Sequence, residues 1–333
     1  MIKQKIILLL LLSTTIYAQQ YDSAAMRYAK LITAKEMKTN LEVLASDAYE
    51  GRETGQKGQK MAADYIAAKF KSYGIPAYNG KNYFQRYPLN LIKPTQADVE
   101  LEGKKLEAFK AYFNFAGLSE QSLAAKSILF LGYGIEEANY NEYNGVELKD
   151  KIIMMMEGEP YIGDSISLIS GTKTPSVWTS YYKSKTEKAK EAKPKAILFV
   201  MNDLEQAKEK FKHKIETPAM KVDMSTRDIP IIFISIATAN EILKTQTIEK
   251  IKRKINLTKT PTNQEVQASI NINIKNTVET TYSENVLGYI EGSDLKNELV
   301  VITAHYDHLG KEGNVVYNGA DDDGSGTVAV MNL

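Results

Sequence analysis

An unbroken apolar run, Leu299-Val300-Val301-Ile302-Thr303, leads directly into Ala304-His305-Tyr306-Asp307-His308-Leu309-Gly310. A strand without polar alternation has no face to give to water, so the run predicts the buried centre of an α/β sheet. Open α/β sheets place their chemistry at the C-terminal ends of their strands, which is where His305 stands. On extended chain His305 and Asp307 leave on the same side. The carboxylate can then accept from the second ring nitrogen and fix the imidazole tautomer. The same geometry turns His308 away, so it is not counted as a ligand. Downstream, Asn318-Gly319-Ala320-Asp321-Asp322-Asp323-Gly324-Ser325-Gly326 sets three adjacent carboxylates before a tight turn into a helix. Such carboxylates repel one another unless a cation or strong donors compensate. Taken alone they read as an acidic helix cap; taken with His305 and Asp307 they read as a metal site. A calcium loop would need its acids at alternate positions. A phosphate loop would need a following Gly-Lys-Ser/Thr.

Composition narrows the chemistry. The 333 residues contain no cysteine, which excludes disulfides, a thiol nucleophile, thiolate ligands and lipid attachment through an N-terminal cysteine. Any metal must be held by nitrogen and oxygen. Lys+Arg 42 against Asp+Glu 41 leaves a net charge of +1, with no electrostatic footprint for nucleic acid. Lys3 and Lys5 precede an apolar run, Ile6 to Leu12, and a small residue, Ala18, follows. Residues 1–18 therefore read as a cleavable signal peptide, implying export to the periplasm or beyond. The run is too short to span a bilayer, so no transmembrane segment is expected after its removal.

Thr33-Ala34-Lys35-Glu36 is a capping box opening a helix with Met37, Leu41 and Leu44 on one face. A second helix carries Met61, Tyr65, Ile66 and Phe70, and Gly74 ends it. Arg52, in the loop between them, reads as a solvated arginine in preference to a substrate or cap contact. Strands are expected at 128–132, 151–156, 196–200 and 229–234. The three consecutive methionines, Met154 to Met156, read as core filling and not as a soft-metal site. The helix from Tyr181 to Ala192 interleaves glutamates and lysines, a solvated face. His213, between two lysines, is expected in solvent. Ile270, Ile272 and Ile274 alternate as on an exposed edge strand.

These motifs resemble the secreted di-zinc exopeptidases of metallopeptidase family 28, bacterial leucyl aminopeptidases among them. The resemblance runs from Thr33 to Leu333 through Leu44-Ala45-Ser46-Asp47, Glu50-Gly51-Arg52, Thr54-Gly55, Asn285-Val286-Leu287-Gly288 and the Ala304–Gly326 stretch; only the last is highly specific. Residues 124–262, with Gly132-Tyr133-Gly134, resemble the protease-associated domain inserted in that family. The resemblance implies an α/β chain with a three-layer αβα zinc-exopeptidase fold, residues 19–123 and 263–333, interrupted by the strand-rich insert. It also implies two Zn2+ per complete site, His305 on one zinc, Asp322 bridging both, and Asp307 as the orienting carboxylate. The reaction implied is peptide hydrolysis by a metal-bound hydroxide, most simply by an aminopeptidase, with a peptide as the substrate. The same resemblance requires a Glu-Glu pair with the general base, a further acid and a second histidine. Residues 324–333 contain none of these. The chain thus reads as an N-terminal portion, incomplete at its C-terminus and inactive alone. The alternative is a non-catalytic exported binding protein that works through the inserted domain.

Overall fold

The computed structural model describes residues 23–163 and 165–333. The segment read as a signal peptide lies outside them. Among the described residues no helix is long and apolar enough to cross a membrane. The chain divides into two compact units, one of residues up to Arg86 together with Ser283–Leu333, the other Tyr87–Tyr282.

The Tyr87–Tyr282 unit is built on a mixed eight-stranded sheet. Its centre is four parallel strands, Gln121–Phe130, Ile152–Met156, Ala196–Val200 and Ile231–Ile234, with Leu198 level with both Met154 and Ile232. Every residue of Ile152–Met156 and Ala196–Val200 is buried, as expected of parallel strands covered on both faces. Alternate residues serve opposite layers. Ile152, Met154, Met156, Leu198 and Val200 pack with Ile242, Leu243, Ile251 and Ile255 from the helices Ile236–Leu243 and Ile248–Thr258. Ile153, Met155, Ile197 and Phe199 pack with Ala189, Leu204, Ala207 and Ile215 from helices on the other side. The methionines are core, and His213 is exposed, as their surroundings in the sequence predict.

Three expectations about this unit need correction. The 270–274 isoleucines do not lie on an edge. Gln264–Ile274 runs between Asp98–Leu101 and Gln121–Phe130, antiparallel to both, with Ile270, Ile272 and Ile274 buried. That pairing sets the borders of the unit. The expected edge at 123/124 falls inside the strand Gln121–Phe130, and its partner Gln264–Ile274 lies beyond the expected edge at 262. Both strands belong to one sheet, and the compact unit that contains it runs from Tyr87 to Tyr282.

The charged helix Tyr182–Glu191 is also not solvated throughout, because Lys185 is fully buried. Its ammonium donates to the Met156 carbonyl at 3.0 Å and to that of Gly158, and lies 5.3 Å from the Tyr133 ring centroid. Glu142 is equally buried and accepts from the amides of Tyr133 and Ile135 and the hydroxyl of Tyr140. Burial pushes the Glu142 carboxyl above its ordinary 4.5, against the pull of those donors, and the Lys185 ammonium below its ordinary 10.5, against nearby glutamates. The consequence for stability has opposite signs on the two sides. Above pH 4.5 and below the raised value of Glu142, the folded chain keeps a proton that the unfolded chain has released, so stability falls as pH rises. Above the lowered value of Lys185 and below 10.5, the unfolded chain holds the extra proton, so stability rises with pH. Urea midpoints of the parent, compared with those of the Glu142→Gln/Lys185→Met double variant, should show a dip between these limits that the variant lacks. Parallel profiles would remove the pair from the pH dependence.

The other unit is helical where it is best packed. Thr33 caps Ala34–Leu44 by accepting from the Glu36 amide at 3.2 Å. Leu44, Ala62, Ile66, Phe70, Val328 and Met331 form a core from the helices Ala34–Leu44, Lys57–Ser72 and Ser325–Met331. The buried central strand expected here is not formed among the described residues. Leu299, Val300, Val301 and Ile302 are irregular and 58–86% exposed. A strand apolar on both faces becomes central only when strands pair with both of its edges. None of the described residues pairs with this one.

Candidate metal centre

The loop at 47–55 organises this site. Glu50, Gly51 and Arg52 take φ values of 50°, 64° and 53° in succession, a left-handed run that turns the chain back on itself. Gly51 is required there, because a Cβ would lie 2.1 Å from the Gly310 carbonyl oxygen. Arg52, expected in solvent, is 1% exposed. Its guanidinium donates to four carbonyls, those of Tyr306 (2.6 Å), Leu44 (2.5 Å), Asn318 (2.7 Å) and Gly319 (2.8 Å). Burial lowers its pKa, with the charge of Asp307 pulling the other way. One side chain thus holds the backbone before Asp307 and the backbone before Asp322. Nothing in the local pattern separates such an arginine from a solvated one, except its place in a Glu-Gly-Arg turn between two helices.

His305 Nε2 lies 3.1 Å from Asp322 Oδ1, and its Nδ1 lies 3.5 Å from Asp307 Oδ1 and 3.1 Å from the Asp307 carbonyl oxygen. Asp307 also accepts from the Thr54 hydroxyl, a contact the sequence did not single out. The Thr327 hydroxyl donates to the His305 carbonyl at 2.9 Å, tying the helix Ser325–Met331 to the histidine. Burial draws the His305 pKa down, but the Asp307 carbonyl and the charges of Asp307, Asp323 and Asp322 outweigh it, leaving a net rise above 6.5.

Two of the three aspartates take separate roles. Asp323 accepts from the Gly326 amide at 3.1 Å, at the start of the helix. The capping reading of the acidic cluster is therefore realised by Asp323. The Asp322 side chain is 74% exposed and faces the histidines. His308 does not point away, for its Nδ1 lies 3.7 Å from Asp322 Oδ2. The alternation argument failed because 301–307 is not a regular strand. His308 is held by its backbone amide, which donates to the Arg52 carbonyl at 3.0 Å.

Zinc contacts to nitrogen and oxygen of about 2.0–2.2 Å set neighbouring donors roughly 3–3.5 Å apart. The His305–Asp322 pair fits that spacing. Among the described residues no group of three His, Cys, Asp or Glu is placed to hold a metal ion, so the fit extends to two donors.

Residues 285–333, which contain all of these donors, match Peptidase family M28. No curated protein sequence matches the chain. Solved structures similar to it include an aminopeptidase from Aneurinibacillus sp. strain AM-1, 17% identical with a TM-score of 0.40, covering 92% of this chain and 59% of that one. A zinc aminopeptidase from Bacillus subtilis is also similar, 17% identical with a TM-score of 0.32, covering 90% of this chain and 56% of that one. The chain thus spans less than two thirds of the length of either. It is a mixed α/β chain whose likeness to Peptidase family M28 is carried by residues 285–333.

Proposed function

We propose that the protein is an exported zinc exopeptidase, acting as an aminopeptidase, and that this chain supplies its first two metal donors. The observation that carries the reading is the 3.1 Å approach of His305 Nε2 to Asp322 Oδ1, made while the neighbouring Asp323 is engaged in capping a helix. The match of residues 285–333 to a peptidase family supports it. His305 and Asp322 would hold zinc, and Asp307 would orient the imidazole. Bound zinc would polarise the scissile carbonyl and lower the pKa of a bound water. Thr54 holds Asp307, and Arg52 holds both loops, which keeps the donors close to one another. Residues 87–282 would serve as an insert of the protease-associated kind.

Metal binding tests the donor assignment directly. Titration of the chain with Zn2+ should give weak, saturable binding, because catalytic zinc ordinarily takes three protein ligands and two are offered here. His305→Ala or Asp322→Asn should abolish it. Asp307→Asn should weaken it by about 10–100-fold. Binding should also weaken as pH falls through the raised His305 pKa, since the metal must displace that proton. Zinc binding unchanged in both His305→Ala and Asp322→Asn would put the site elsewhere.

A further inference from the structure

We infer that the Tyr87–Tyr282 unit carries a second binding site, a cleft that takes short zwitterionic peptides by their free α-carboxylate. Two adjoining cavities, about 760 and 290 Å³, share Glu157, Thr179 and Asn202 as a common wall. They open where the parallel strands Ile152–Met156 and Ala196–Val200 end, the edge at which open α/β sheets bind ligands. The wall is built from within. Lys185 holds the turn after the first strand through the Met156 and Gly158 carbonyls. Glu159, 1% exposed, accepts from the amide and hydroxyl of Ser176 and so fixes the start of the turn that bears Thr179.

Three observations indicate what the cleft takes. The Thr179 hydroxyl is buried and has no hydrogen-bond partner among the described residues, although buried hydroxyls are nearly always paired. Asn202 Oδ1 accepts from Lys252 at 2.6 Å and Asn256 Oδ1 from the Tyr161 amide at 2.9 Å, which leaves both carboxamide N–H groups available. Arg253 lines the same lobe and has no ion pair among the described residues. This donor-rich wall suits carbonyl and carboxylate oxygens. Glu157 and Glu249 in the same lobe oppose a bare polyanion and suit a ligand that also carries an ammonium. The smaller lobe, with Tyr182, Met201 and Phe211 and the stems of Lys210 and Lys214, offers room for an apolar side chain. Every residue named here lies within one unit, and none belongs to the His305 cluster.

Trp178, the only tryptophan of the chain, adjoins Thr179 and provides the readout. The full chain, without added metal, is titrated with Gly-Gly-Phe, with its C-terminal amide and with inorganic phosphate, following tryptophan fluorescence and heat. Saturable binding of the free acid is expected. The amide and the Arg253→Ala variant should bind about tenfold more weakly or worse, a difference of about 1.4 kcal/mol. Thr179→Val should also weaken it, while His305→Ala should leave it unchanged. Thermal melts show that each variant is folded. Absence of saturation by the free acid at about 10 mM, where only binding weaker than roughly 3 kcal/mol would escape, overturns the proposal. So does equal binding of acid and amide, tighter binding of phosphate than of peptide, or loss of binding in His305→Ala.

Discussion

Arg52→Met should destabilise the chain by about 3–5 kcal/mol, the size of effect expected when a buried hydrogen-bond network is broken. The guanidinium is 1% exposed and serves four carbonyls contributed by Leu44, Tyr306, Asn318 and Gly319. Methionine fills much of the volume but leaves those acceptors buried without donors, and each such orphan costs about 1–3 kcal/mol before relaxation. Arg52→Lys should recover only part of the loss. An ammonium has three donors on a flexible stem, against five in the rigid guanidinium fork. Urea unfolding gives the stability. The same variant should also lose zinc binding, because the carbonyls it releases flank Asp307 and precede Asp322. A variant within about 0.5 kcal/mol of the parent, the size of an ordinary surface change, would mean that the loops are organised by other contacts.

What could be read from the sequence and what could not follow a physical division. Local signals were legible. The capping box at Thr33 needs only Glu36, three residues on, and the cap forms. The apolar runs at 152–156 and 196–200 each predict a covered strand, and both are buried throughout. Signals that depend on distant partners were not. Leu299–Ile302 is as apolar as those strands but has no paired neighbours among the described residues, and it lies exposed. Ile270, Ile272 and Ile274 alternate as an edge strand does, yet a central antiparallel strand with one wet face alternates in the same way. Lys185 and Arg52 look like any surface cation until carbonyls from other segments are brought to them. Within the candidate site, His305, Asp307 and Asp322 could be picked out because their chemistry is written within one short segment. Thr54 and Arg52 could not, because they act on that segment from the far end of the chain.

The sharpest separation should come from two adjacent aspartates. Asp323→Ala removes an acceptor from the Gly326 amide and should cost about 0.5–2 kcal/mol of stability, as loss of a helix cap does. Asp322→Asn, at a side chain that is 74% exposed, should leave the melting temperature nearly unchanged and remove metal binding. Activity is to be measured in the reading frame in which this sequence occurs, followed to its stop codon. There, His305→Ala and Asp322→Asn should each reduce zinc-dependent hydrolysis of an aminoacyl chromogenic substrate to background. Asp323→Ala should retain activity once temperature is lowered to restore folding. These outcomes rest on one geometric distinction, that Asp322 faces His305 at 3.1 Å while Asp323 faces the backbone. If Asp323→Ala abolished hydrolysis in a folded protein and Asp322→Asn did not, the donor assignment would move by one residue, and Asp322 would be left with no role in the chemistry.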